Sequence, residues 1–301
     1  MRLAVLAVAA LLVLGGCGGA DTPKADTARA AQEPLRIGTK NFPEQFLLGE
    51  LYKQALEAKG FPVELKANIG SSEIIHQALT DGALDMYPEY VGVLLSEVAN
   101  VRSRPRSPQA AYRLARQFEA RKGFVMLTPS PFSDQNALAV KPEYARRHRL
   151  RGIDDLKRVP GTVRIGAPPE FQTRFEGLVG LEQLYDLRNA KADPLAIGRQ
   201  YAALDAGQVD AAAVFTTDGQ LARGRYVVLR DPREVFGTQH LAPIISRAAL
   251  RRYGPRLRAT IDAVSSRLTA AAMQRMNAKV QIDRRATADV ASEFLRGQGL
   301  K

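Results

Sequence analysis

The chain has 301 residues, a formal net charge of +12 and a single cysteine, Cys17. One cysteine excludes an internal disulfide, and the length suffices for two lobes with buried cores. Nucleic acid is a common partner of so basic a chain, but the export signal described next and the lack of aromatic residues among the arginines argue against it. We interpret the arginine-rich stretch 146–151 as solvated surface, with attraction to anionic lipid as the alternative.

The amino-terminal segment has the features of a secretory signal. Met1 and Arg2 precede an apolar run, Leu3 to Leu14, which is shorter than the roughly 20 residues that span a bilayer. The run ends in Leu-Gly-Gly-Cys, which resembles the bacterial lipobox, after which the signal is cut and Cys17 is lipid-modified. Residues 1–16 are therefore predicted to be a signal peptide, and the polar segment 17–33 a flexible tether to the folded part.

From Pro34 the pattern alternates short strands with amphipathic helices, which predicts an α/β fold with mostly parallel sheets. The first series contains strands at 35–38, 63–67 and 85–87 with helices between them. A second series contains strands at 137–140, 163–166 and 211–215, with a helix over 171–185. A strand at 241–245 and two helical stretches complete the chain. The two series predict two similar lobes.

No catalytic or metal-binding arrangement is visible. The three histidines, His76, His148 and His240, show no metal-ligand spacing, and His76 has the sequence context of a packed side chain. The Asp154-Asp155 pair is typical of a loop rather than of acid–base chemistry. No nucleotide-binding motif occurs. We therefore predict neither an enzyme nor a bound cofactor or metal.

Several blocks together resemble one known family. They are Ile37-Gly38-Thr39-Lys40-Asn41-Phe42-Pro43-Glu44-Gln45, Leu48-Gly49-Glu50, the segment 82–92 with Tyr87-Pro88-Glu89-Tyr90, the segment 173–181 with Thr173-Arg174, Phe215-Thr216-Thr217-Asp218-Gly219, and the carboxyl-terminal segment 290–300. In this order they are similar to the type II periplasmic-binding receptors for glycine betaine, proline betaine, choline and carnitine.

The resemblance implies a two-lobed fold with two crossing hinge strands and the ligand in the cleft between the lobes. Lobe 1 would comprise residues 34–135 plus 241–301, and lobe 2 residues 136–240. Together with the lipobox-like sequence, it implies an exported, lipid-anchored receptor, on the periplasmic or outer side of a bacterial membrane, that delivers a small zwitterionic osmolyte to the permease and ATPase of an ABC importer.

The family holds the ligand carboxylate with basic and hydroxyl side chains. Lys40 and Arg174 match its lysine and arginine positions, and a guanidinium suits a carboxylate because it donates two parallel hydrogen bonds. A threonine contact of some members corresponds to Val93 here, so one hydrogen bond is missing.

The family surrounds the quaternary ammonium with aromatic rings, because this group has no N–H to donate. Tyr90 and Phe215 match two ring positions, whereas Asn136 and Gln239 stand at the other two. These amides either line the cleft and bind ligand or are ordinary polar groups of the hinge, and Tyr87 could substitute as a cage wall. We expect weak binding of glycine betaine and tighter binding of a more polar zwitterion.

Two further alternatives remain at this point. The chain could be a ligand-sensing lipoprotein that reports to a membrane sensor. Enzymes also use this fold, although no nucleophile–base pair supports that interpretation.

Overall fold

A computed structural model describes residues 33–101, 105, 107–237 and 239–301. The predicted signal peptide, Cys17 and all of the tether except its last residue lie outside these ranges. Within them, no helix has both the length and the apolar character needed to cross a membrane.

The first lobe is built on a five-stranded sheet of order β2-β1-β3-β10-β4. Its strands are β1 (Leu35–Lys40), β2 (Val63–Gly70), β3 (Met86–Tyr90), β4 (Phe124–Met126) and β10 (Leu241–Ser246). Strands β1, β2 and β3 are parallel, whereas β10 runs antiparallel to β3 and β4. Its helices are α1 (Pro43–Glu57), α2 (Ser72–Thr80), the single turn α3 (Val91–Val93), α4 (Pro108–Arg121), α8 (Arg247–Tyr253), α9 (Pro255–Arg267), α10 (Ala270–Gln281) and α11 (Thr287–Gly297).

The second lobe is built on a sheet of order β7-β6-β8-β5-β9. Its strands are β5 (Asn136–Val140), β6 (Val163–Ala167), β7 (Ala190–Pro194), β8 (Ala211–Phe215) and β9 (Val227–Val228). Strand β5 runs antiparallel to β8, so this sheet is also mixed. The helices are α5 (Pro142–His148), α6 (Gly180–Tyr185) and α7 (Gln200–Asp205), with shorter turns at Ile153–Arg158, Pro169–Gln172, Phe175–Val179 and Gly219–Arg223.

Each lobe buries its own apolar core. In the first lobe, α1 presents Leu47, Leu48, Leu51 and Ala55 to the sheet and to helices α9 and α11, at the spacing of one helix face. Pro43 begins this helix, where the missing N–H of proline costs no hydrogen bond. The second lobe packs apolar side chains of β6 together with those of α6 and of the turn Ile153–Arg158.

The chain passes between the sheets twice, and the two passages lie side by side. Ser133 and His240 form an isolated antiparallel bridge. The Asp134 N–H donates to the Gln239 carbonyl at 2.9 Å, and the Gln239 N–H donates to Ser133 Oγ at 2.9 Å. This pair of strands therefore forms one boundary of the space between the lobes.

The α/β fold and the strands are confirmed, but three details of the prediction are wrong. The sheets are mixed rather than mostly parallel, and the carboxyl-terminal part contains four helices. The helix expected over 171–185 is interrupted at Gly177, which has φ −149° and ψ −138°. A side chain at this glycine would collide with the Phe171 carbonyl. The interruption leaves the segment before α6 free to face the other lobe.

One buried acid in the first lobe lacks a hydrogen-bond partner among the residues that the structure describes. Glu119 on α4 is 0% exposed, and neither of its carboxyl oxygens accepts a hydrogen bond from them. His76 Nε2 lies 3.9 Å from Glu119 Oε1, and Lys122 Nζ lies 3.4 Å from the same ring nitrogen. Burial raises the pKa of Glu119 from 4.5 to about 7. The nearby Lys122 lowers this pKa by a smaller amount, and Glu89 raises it.

Because burial penalises the ionised form, the native protein loses stability as the pH rises from about 4.5 to about 7 and Glu119 deprotonates. Glu119→Gln removes this loss. The variant should exceed the native protein in free energy of unfolding by on the order of 3 kcal/mol at pH 8 and by little at pH 4.5. Urea unfolding at both pH values measures the difference, with the exposed Glu182→Gln as control. An equal gain at both pH values would contradict the assignment.

Candidate ligand-binding cleft

A cavity of about 780 Å³, including its open mouth, lies between the two lobes. The six side chains that the sequence singles out for the ligand all line it: Lys40, Tyr90, Asn136, Arg174, Phe215 and Gln239. Strands β1, β3 and β8 end at Lys40, Tyr90 and Phe215, so the carboxyl ends of strands from both lobes meet there. In α/β proteins, this edge of the sheet is where ligands bind.

Lys40 is buried and already has partners. Its Nζ donates to Glu89 Oε1 at 2.5 Å and to Ser72 Oγ at 3.2 Å, and it lies 4.4 Å from the centre of the Tyr90 ring. An ammonium has three N–H groups, so one remains for a ligand. Burial lowers the pKa of Lys40, and Glu89 opposes this effect.

Arg174 reaches from the second lobe to two carboxylates of the first lobe. Its Nη2 lies 2.9 Å from both oxygens of Glu73, and its Nε forms an ion pair with Glu97 at 3.0 Å. The guanidinium is therefore occupied by acids of the chain itself. Its Nη1 makes no hydrogen bond within the described part of the chain, which leaves one edge for another partner.

The rings of the cleft form a stack that includes one residue missed by the sequence prediction. Phe42 lies between Phe215, at a centroid distance of 5.2 Å, and Tyr90, at 6.3 Å, with interplanar angles of 18° and 23°. Its position two residues after Lys40, in the first block that resembles the family, was the available signal. Tyr87 is fully buried, bonds to His76 and does not line the cavity.

The two amides at the family's ring positions behave differently. The half-buried Asn136 makes no side-chain hydrogen bond to a described residue. Gln239, in contrast, accepts from the Val93 N–H at 2.9 Å and donates to Glu176 Oε2 at 2.7 Å, so it links the two lobes. Gly92 makes room for it, because a Cβ there would lie 2.5 Å from Gln239 Nε2.

Buried acids lie behind the aromatic stack. Glu44 accepts from the Tyr90 hydroxyl at 2.6 Å and from Asn277 at 2.6 Å. The Thr217 hydroxyl lies 2.5 Å from Glu44 and 2.7 Å from Asp134. One hydroxyl cannot donate to both carboxyls, and burial raises the pKa of each. Within the described residues, no group of histidine, cysteine, aspartate or glutamate side chains is arranged to hold a metal ion.

Comparison with known proteins decides the family. Residues 33–297 match the model of the substrate-binding domain of ABC-type glycine betaine transport systems. The chain belongs to this family. A glycine-betaine-binding protein of Pseudomonas aeruginosa is 34% identical, covering 89% of this chain and 88% of its own, and the glycine betaine-binding protein YehZ of Escherichia coli is 28% identical over 89% and 92%.

Solved structures agree with this assignment. A crystal structure described as a glycine betaine/carnitine/choline ABC transporter superposes with a TM-score of 0.71 and 25% identity, covering 88% of this chain and 99% of the other. Members of the family are extracytoplasmic transport receptors with a small-molecule ligand and permease partners. The two-lobed α/β fold predicted from the sequence is thus confirmed.

Proposed function

We propose that the cleft binds a small zwitterion with a quaternary ammonium group and that the receptor has no enzymatic activity. The supporting observation is that Lys40 and Arg174 line the same cavity as the stacked rings of Tyr90, Phe42 and Phe215. Cationic side chains suit a carboxylate, and ring faces suit an ammonium that cannot donate a hydrogen bond. Glycine betaine has both groups.

In this proposal, the ligand brings together groups from both lobes. The first lobe comprises residues 34–135 and 241–301, and the second comprises residues 136–240. Lys40 and Tyr90 belong to the first lobe and Arg174 to the second, so only a closed cleft presents them all. Ligand therefore favours closure. A ligand-dependent fall in the radius of gyration, measured by X-ray scattering, is expected, and an unchanged radius would contradict the hinge.

The polar side of the cleft supports a ligand with more hydrogen-bonding groups than glycine betaine. Asn136 and Glu170 line the cavity, and neither side chain makes a hydrogen bond to a described residue. A trimethylammonium group leaves such groups unpaired after they lose water, which is unfavourable. A zwitterion with a hydroxyl or N–H group near its cationic end would satisfy them.

The main test concerns Arg174. Arg174→Ala should weaken glycine betaine binding at least tenfold, because loss of one partner of a buried, hydrogen-bonded charge pair costs roughly 2–5 kcal/mol. Arg174→Lys keeps the positive charge without the planar donors, so its affinity for glycine betaine should lie between those of the native protein and Arg174→Ala. Titration calorimetry measures the affinities, and Arg188→Ala, at a side chain 87% exposed in the same lobe, is the control. Unchanged affinity in Arg174→Ala would remove Arg174 from the site.

The second test restores a ring. Asn136→Tyr should strengthen glycine betaine binding by about 2- to 30-fold, because a desolvated cation–π contact contributes about 0.5–2 kcal/mol. Asn136→Ala enlarges the cavity without adding a ring and should not produce this gain. Gln239 is left unchanged because its amide joins the lobes. Weaker binding in Asn136→Tyr would show that Asn136 does not face the ammonium.

We also propose the lipid anchor at Cys17, which rests on the lipobox-like sequence alone. Cys17→Ser should move the protein from the membrane fraction of expressing cells to the soluble fraction and leave ligand affinity unchanged. Mass spectrometry of the amino-terminal peptide from the native protein should show a lipid on Cys17. An unmodified cysteine there would contradict the proposal.

A further inference from the structure

The carboxylate of Glu73 occupies the surroundings expected for an anionic ligand group. Glu73 lies in the first turn of α2, and its Oε2 accepts from Ser71 Oγ at 2.5 Å, while both oxygens face Arg174 Nη2 at 2.9 Å. Ser71 and Arg174 both line the ligand cavity. Hydroxyl and guanidinium donors at a helix amino terminus are the groups that bind a carboxylate.

Glu73 and Glu97 hold Arg174 in different ways. The Glu97 side chain is 12% exposed and pairs with Nε, whereas the Glu73 side chain is 43% exposed and pairs with Nη2. Turning Glu73 into water therefore costs little, because its side chain is already partly exposed. Glu97 has no comparable access to water and would stay on the guanidinium. Glu73 is thus the exchangeable partner of the two.

The net charge around Arg174 also favours the departure of Glu73. With Glu73 and Glu97 both ionised, the three groups carry a net charge of −1, which disfavours the approach of a further carboxylate. Departure of Glu73 leaves Arg174 and Glu97 neutral together and frees the Nη2 hydrogens beside the unbonded Nη1. A ligand carboxylate can then take the edge formed by Nη1 and Nη2 with two parallel hydrogen bonds.

We propose that Glu73 is a specificity-determining residue: in the closed cleft its carboxylate pairs with Arg174, leaves when a zwitterionic ligand brings its own carboxylate, and stays when the ligand is a quaternary amine without one. This inference rests on the proposed function of the cleft. Glu73 therefore lowers the affinity for zwitterions relative to that for cations such as choline, because only a zwitterion displaces it from Arg174.

Titration calorimetry with glycine betaine and with choline tests the inference. In Glu73→Gln, the affinity for glycine betaine divided by that for choline should rise on the order of two- to fivefold, the range for loss of a partly exposed ion pair. The pair is present in the closed cleft around choline and absent around a zwitterion, so the ratio of affinities should rise whether or not the lobes close before the ligand binds. Glu73→Ala should raise the same ratio. Glu182→Gln, on an exposed face of α6, should leave the affinities for both ligands unchanged.

The comparison of two ligands separates a specificity role from a structural one. Damage to the cleft would weaken both ligands together. Equal changes for glycine betaine and choline, or weaker binding of glycine betaine alone, would overturn the role of Glu73 while leaving the proposed function standing. If the native protein bound neither ligand, the proposed function would fail as well.

Discussion

The cleft depends on how two cations, the buried Lys40 and the partly buried Arg174, are compensated. Taking a charge out of water is costly unless a partner and further hydrogen bonds replace the lost solvation. For Lys40 the sheet supplies the partner directly. Strands β1 and β3 are parallel with Ile37 opposite Met86, so Lys40 and Glu89, each three residues further along, end side by side. The register of the sheet thus places the Lys40–Glu89 ion pair at 2.5 Å on the cleft floor.

Arg174 is compensated across the cleft rather than within its own lobe. Its carboxylate partners belong to the other lobe, so the ion pairs exist only while the lobes are close together. Gln239 adds a neutral link of the same kind between Val93 and Glu176. In the closed cleft, a ligand carboxylate must therefore compete with the acids that already hold Arg174. The balance between the two sets of contacts then determines affinity.

The sequence was informative where the chemistry is local. Strand positions follow from short apolar runs, and Lys40 and Tyr90 stand at strand ends within recognisable blocks. The partners of Arg174 were not predictable, because Glu73 is 101 residues away in the chain and meets it only through the relative position of the lobes. The helix expected over 171–185 has a suitable apolar pattern, but close approach of Gly177 to the Phe171 backbone breaks it. The different roles of Asn136 and Gln239 also depend on neighbours that are remote in sequence.

The contrast between these two amides shows where ligand selectivity can arise. Gln239 uses its amide on a backbone N–H and a carboxylate of the chain, so this part of the wall is satisfied whether or not ligand is present. Asn136 is paired through its backbone with Phe215 in the β5–β8 ladder, but its side chain has no hydrogen-bond partner among the described residues. When the cleft closes and water leaves, Asn136 is therefore the one of these two amides that requires a polar group from the ligand. A ligand that offers methyl groups to the Phe42–Phe215 stack and a hydrogen-bonding group to Asn136 therefore meets both requirements in one orientation, whereas a symmetric trimethylammonium meets only the first.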